Sequence, residues 1–292
     1  MTAQVYALLR RNQRDGLPPV PEFHMEKLRS TLKQVVREWS AEGAAERRAS
    51  YGVIVEALEA FFADRTDRAA IRVLVPGAGL GRLPFEIASR GFSCQGNEFS
   101  IFMLYVSYFF LNRVERVDQF TLYPYVHSFS NCPAQSDQLR PVSVPDVLPT
   151  SAIPVGVEYA VAAGDFFEVY GADPNEHAAW DCVVTCFFVD ATPNVVTCME
   201  IIHTLLKPGG IWINLGPLLY HYENMVNESS IELTLDEVKS VARAIGFTLV
   251  NEQMVPAMYT NNPRAMLQYT YQCAFFTATK ALPLSKNPSQ PQ

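Results

Sequence analysis

The first residues in this sequence with the types and spacing for chemistry are Val73-Leu74-Val75-Pro76-Gly77-Ala78-Gly79-Leu80-Gly81, an apolar run that stops at a glycine-rich turn. Glycines at such a turn let the backbone pass close to a ligand, and a helix starting there presents free N–H groups. The spacing is G-x-G-x-G, and Arg82 stands where the dinucleotide fingerprint G-x-G-x-x-G needs its last small residue. A pyrophosphate is therefore a poor fit. Glu98 follows about 20 residues after the first glycine, where a carboxylate can accept both ribose hydroxyl hydrogens; a solvated loop acid is the plain alternative. With the turn Lys207-Pro208-Gly209-Gly210, these features favour a nucleoside ligand that carries no phosphates.

S-adenosylmethionine meets that description. In Gly164-Asp165-Phe166, Asp165 is placed to accept from an adenine amino group and Phe166 to cover the ring, with helix capping as the alternative for Asp165. Cys186 would lie on the sheet beneath the ligand. Cys182 and Cys186 lack the spacing and the further Cys or His ligands of a closed zinc site, so no metal is expected. On the substrate side, Asp190 ends an apolar run. Burying its carboxylate is costly without a partner, which points to a cationic or N–H-bearing substrate. His221, Tyr259 and Tyr271 are further candidates, although a lone His and strand tyrosines commonly serve packing.

These residues need elements to hold them. Apolar spacing predicts helices over 25–39 and 47–62, then a buried strand over 71–75. Helices over 83–90, 100–112, 193–206 and 235–244 then alternate with strands over 92–96, 159–163, 182–189, 211–215, 247–253 and 271–277. Strands alternating with helices imply a doubly wound α/β sheet covered on both faces. Thr234 and Glu237 read as a capping box. The chain then divides into a flexible N-terminal arm (1–22), a helical region capping the cofactor site (23–66), a core (67–280) and a disordered tail (281–292). Within the core, the Pro- and Ser-rich segment 113–157 shows no clear period and reads as a substrate-loop insertion.

Composition excludes several function classes. Apolar residues make up 49% and the net charge is −7, which disfavours a disordered chain and a phosphate-tracking nucleic-acid binder. The apolar run 101–111 is too short for a bilayer span of about 20 residues and reads as a buried helix. No h-region of a signal peptide follows the N-terminal arginines, and the six cysteines form no CxxC pair. Cytoplasm or nucleus is the expected compartment, with neither membrane nor nucleic acid as partner.

The run from Leu74 to Arg82, followed by Gly96-Asn97-Glu98-Phe99-Ser100, closely resembles the carnosine N-methyltransferase family. So do Thr185-Cys186-Phe187-Phe188-Val189-Asp190 and Lys207-Pro208-Gly209-Gly210-Ile211-Trp212-Ile213-Asn214-Leu215-Gly216-Pro217-Leu218-Leu219-Tyr220-His221. The resemblance covers 23–276, and Phe99 departs from it by standing where the family carries Trp. It implies a seven-stranded class I methyltransferase core of Rossmann-like type with an antiparallel last strand. It further implies that Gln34 and Arg37 reach the methionine end of S-adenosylmethionine, and that Gly77, Glu98, Asp165, Phe166 and Cys186 contact the cofactor. Asp190, His221, Tyr259 and Tyr271 correspond to substrate-binding positions, with Asp190 as the catalytic candidate. The implied reaction is methylation of the imidazole π nitrogen of carnosine, a small histidine-containing peptide, giving anserine, and a homodimer is left open. Methylation of a protein histidine or another small amine, and a non-catalytic cofactor-binding subunit, are the alternatives.

Overall fold

The apolar run before the glycine turn forms β1 (Arg72–Pro76), and the run that ends at Glu98 forms β2 (Ser93–Glu98). The structure, a computed structural model, describes residues 19–282. The expected arm lies outside the described residues up to position 18, and the expected tail from position 283 onward. Two short strands, β3 (Phe120–Leu122) and β4 (Val142–Val144), pair as an antiparallel ribbon. The main sheet continues with β5 (Tyr159–Ala163), β6 (Trp180–Cys186), β7 (Leu206–Gly216), β8 (Phe247–Ala257) and β9 (Tyr271–Lys280). Its seven strands run in the order β5-β2-β1-β6-β7-β9-β8. β9 is antiparallel to both of its neighbours, and the other pairings of the sheet are parallel.

The helices of five or more residues are α1 (Glu22–Trp39), α2 (44–61), α3 (Arg82–Ser89), α4 (Ile101–Asn112), α5 (Phe166–Tyr170), α6 (Val195–Leu205) and α7 (Leu235–Ile245). A π-helical turn, Arg48–Gly52, interrupts α2. α7 carries the expected capping box of Thr234 and Glu237.

Both faces of the sheet are covered, because neighbouring strand residues point to opposite sides. Val73 packs with Ile54, Leu58 and Ile87 on one face, while Leu74 packs with Trp180, Met199 and Trp212 on the other. A third cluster joins α1 to the glycine turn and α4. There the Trp39 indole donates to the Leu80 carbonyl at 3.1 Å and stacks on Phe110 with ring centroids 5.5 Å apart. Parallel register brings the carboxyl ends of the central strands to one edge: Pro76 beside Asn97, Glu98 beside Ala163, and Cys186 beside Leu215.

Three expectations are corrected. α4 is not a buried helix: Ser107 and Phe110 are buried, but Tyr105 is 71% exposed and Ile101, Tyr108 and Phe109 also face outward. A helix apolar on every side does not encode which face packs, and α4 lies where the sheet ends at β5. The strand expected over 182–189 stops at Cys186, because Phe187 adopts the left-handed region (φ 52°). The Lys207-Pro208-Gly209-Gly210 turn is drawn into β7, with Gly209 at φ 78° and a register shift between Trp180 and Cys182. The segment 113–157, in which the sequence shows no clear period, carries the β3–β4 ribbon. Among the described residues, no helix is long and apolar enough to cross a membrane.

Candidate active site

The glycine turn has the backbone its composition predicts. Gly77 and Gly79 both lie in the left-handed region (φ 66° and 57°). A Cβ at Gly77 would stand 2.6 Å from the Phe188 ring, and one at Gly79 would stand 2.9 Å from Glu38 Oε1. Glu98 closes the turn from the end of β2. The Gly79 N–H donates to its Oε2 at 2.9 Å and the Ser100 N–H to its Oε1 at 2.7 Å. Burial pushes the Glu98 carboxyl above the usual carboxylate range, and these N–H groups oppose that shift. Arg82 is itself buried. It donates to the Glu38 carbonyl at 2.8 Å and to Asp146 Oδ1 at 2.6 Å, and it lies over the Trp39 ring. The side chain that breaks the dinucleotide fingerprint thus ties α3 to α1 and to the insertion.

Gln34 and Arg37 share the buried face of α1, as their spacing predicts. Gln34 Nε2 donates to the Tyr259 hydroxyl at 2.6 Å, while its Oε1 is buried without a partner. Arg37 donates to the Tyr51 hydroxyl at 2.6 Å, and its guanidinium lies over the Tyr259 ring at 4.6 Å. Its Nε is 2.7 Å from Glu46 and its Nη1 is 3.5 Å from Glu38. Burial opposes the charge on Arg37, but the surrounding phenols and carboxylates outweigh it and hold the guanidinium protonated. Cys186, half-buried at the end of β6, keeps a neutral thiol because burial pushes its pKa up to about 12.

Two cofactor candidates have protein partners of their own. Asp165 is exposed and caps α5, its Oδ1 accepting from the Phe167 N–H at 2.8 Å and the Glu168 N–H at 3.3 Å. The Phe166 ring is buried against Tyr170 and Phe188, with centroids 5.5 and 5.4 Å away. Of the substrate-binding candidates, Asp190 is buried in the turn Val189–Ala191. Its Oδ2 accepts from the Leu219 N–H at 2.9 Å, and its carbonyl accepts from the His221 N–H at 3.0 Å. Burial raises the Asp190 carboxyl above its ordinary range, and the Leu219 N–H and the nearby His221 oppose this. His221 is exposed. Tyr259 and Tyr271 are brought together by Phe187, whose ring centroid lies 4.9 Å from the first and 5.9 Å from the second.

The residues missed at the sequence level are Glu38, Glu46, Tyr51 and Phe187. Glu38 had a readable signal, since Gln34, Arg37 and Glu38 lie at i, i+3 and i+4 on one helix face. Its Oε2 accepts from the N–H groups of Leu80 and Arg82 at 3.1 and 3.2 Å. Burial pushes its pKa up to about 7, against the pull of Arg37. An acid whose pKa is raised by folding binds more protons folded than unfolded, so its contribution to stability is lost as pH climbs toward 7. The Glu38 contribution should make the protein about 1–2 kcal/mol less stable to urea at pH 7.5 than at pH 5.5. Glu38→Gln should remove that part of the difference; an unchanged pH slope in the variant would assign it to other groups.

The chain matches the family model described as carnosine N-methyltransferase over residues 16–282. A carnosine N-methyltransferase of Rattus norvegicus is 50% identical over 264 residues, which cover 90% of this chain and 65% of the rat protein. One of Schizosaccharomyces pombe is 45% identical over 257 residues, covering 85% of this chain and 69% of the yeast protein. The chain thus spans about two thirds of the length of these relatives. Among solved structures, the complex between the Haloferax volcanii Trm112 methyltransferase activator and the putative methyltransferase contains a chain of the same fold. That chain aligns at 9% identity with a TM-score of 0.51, covering 88% of this chain and 96% of the other. The fold is that of the class I S-adenosylmethionine-dependent methyltransferases, and with a match over nearly its whole length the chain belongs to the carnosine N-methyltransferase family.

Proposed function

We propose that this chain transfers a methyl group from S-adenosylmethionine to the imidazole π nitrogen of carnosine, giving anserine. The observation that carries the reading is the buried Asp190 carboxylate beyond the end of β6, with Oδ2 engaged by Leu219 and Oδ1 left for a ligand. S-adenosylmethionine supplies an electrophilic methyl carbon on a sulfonium. The chain's own groups suit that cofactor. Gln34 Oε1 is a buried acceptor lacking a donor, which an ammonium provides, and Arg37 is a cation that a carboxylate can meet. Glu98 stands at the turn where a ribose would lie.

The imidazole needs no strong base. With a pKa near ~6.5 it is largely neutral and nucleophilic at pH 7 and above. Asp190 accepts the τ N–H, which fixes the tautomer that leaves the π lone pair free. The same carboxylate would stabilise the imidazolium formed as the new N–C bond replaces the methyl–sulfur bond and the sulfonium leaves as a neutral thioether. Tyr259 and Tyr271, held by Phe187, give the ring an aromatic wall. The test is incubation of the full chain with labelled S-adenosylmethionine and carnosine, homocarnosine, histidine or protein substrates. Label in carnosine, located at the π nitrogen by NMR, is the expected result. Label in protein alone would replace the small-peptide reading with protein-histidine methylation.

A further inference from the structure

Three separate parts of the chain converge on one carboxylate that the mechanism above does not use. Glu46, on the first turn of α2, is buried. Its Oε1 accepts from the Thr260 N–H at 2.8 Å and stands 2.7 Å from Arg37 Nε, while its Oε2 accepts from the Asn261 N–H at 3.2 Å. Two backbone donors and a guanidinium at ion-pair distance therefore share two oxygens, a demand that a carboxylate meets and a neutral amide does not. The segment it grips begins one residue after Tyr259, which Gln34 holds through its hydroxyl and Arg37 covers. Thr260 itself sits at φ 50°, a left-handed conformation that a β-branched residue adopts only when its surroundings impose it. The two N–H groups that Glu46 fixes are those of this strained residue and the next.

We propose that Glu46 is a positioning residue that locks the substrate wall at Tyr259 to the cofactor clamp at Arg37, so that peptide binds well only once the cofactor side is filled. The proposal rests on the functional reading above. The argument is one of shared ordering: whatever fixes Arg37 also fixes Glu46, and through it the 260–261 backbone and Tyr259. A ligand on one side thereby removes part of the ordering cost that a ligand on the other side must meet. Tyr259 forms a wall and not a reacting group, so its displacement should act on binding more than on the chemical step.

Three readouts on the full chain test this: carnosine affinity by calorimetry with and without S-adenosylhomocysteine, steady-state kinetics, and amide exchange over 258–263. In the wild type, S-adenosylhomocysteine should tighten carnosine binding by about fivefold or more. Glu46→Gln should bring that ratio to within about twofold and raise the carnosine KM about tenfold, with kcat changed less than about threefold. Exchange of the Thr260 and Asn261 amides should quicken by about tenfold or more. Glu46→Asp keeps both acceptor oxygens on a shorter stem, so it should shift each readout the same way by smaller factors, and it serves if the Gln variant does not fold. Absence of coupling in the wild type overturns the proposal, as do folded variants with wild-type coupling and exchange. If the wild type binds S-adenosylhomocysteine but not carnosine, the substrate reading fails separately, and the exchange data alone decide whether Glu46 holds the 260–261 segment.

Discussion

Asp190→Asn is expected to slow methyl transfer on the order of 10²-fold while leaving S-adenosylhomocysteine affinity nearly unchanged. The hydrogen bond from Leu219 makes this expectation sharper than charge removal alone. That N–H donates to Asp190 Oδ2, so an asparagine would turn its carbonyl oxygen toward Leu219. Its NH2 would then face the imidazole, a donor opposed to the τ N–H, and the tautomer with the free π lone pair would be disfavoured. The lost negative charge also matters most when the ring becomes cationic, so the effect should fall on kcat. Single-turnover methylation of carnosine at saturating cofactor measures it. A variant within a few-fold of wild type would make Asp190 structural and leave His221 as the next candidate.

Glu98→Ala should weaken S-adenosylhomocysteine binding by roughly 2–4 kcal/mol, the loss of two charge-assisted hydrogen bonds to a ribose. The structure gives the carboxylate a second task, since it also receives the Gly79 and Ser100 N–H groups and so holds the glycine turn shut. The alanine variant therefore loses ligand contacts and turn geometry together. Glu98→Gln, which can still receive one of those N–H groups, should fall between alanine and wild type. Calorimetric titration of each variant, with circular dichroism to verify the fold, gives the comparison. Wild-type affinity in a folded alanine variant would remove Glu98 from the site.

The sheet was legible in the sequence because central strands such as β1 and β6 are short apolar runs ended by a turn, and alternation with helices indicated the class. Antiparallel β9 came from the family resemblance, not from periodicity. α4 was misread because an apolar run states that a surface avoids water without stating whether anything covers it. The site divides along the same line. Gly77, Glu98 and Asp190 sit at or just beyond strand ends, where a local pattern can be read. Glu46, Tyr51 and Phe187 gain their roles from contacts such as Glu46 to Thr260, made between segments far apart in the chain, and no local pattern encodes such a meeting. Phe187 is the hardest of these: its left-handed backbone ends β6 early, and nothing in an apolar run of Cys, Phe and Val announces it. Asp165 shows the opposite case, where the plain capping reading is the bond that the structure contains.

Because β9 sits between β7 and β8, the sheet cannot be completed in the order in which the ribosome delivers it. Ile211 pairs with Thr279 and Gly216 with Ala274, so the partners of β7 emerge several seconds after it at about 5–20 residues per second. During that interval the cofactor half, from β1 to β6, can already be folded. The outer edge of β7, with Ile211, Trp212, Ile213 and Leu215, meanwhile presents unpaired backbone beside side chains destined for the core. An open apolar edge of that kind recruits other strands indiscriminately. The most vulnerable moment of this fold is therefore a nascent chain with a finished first half and an unfinished sheet, until the final strand enters the gap between β7 and β8.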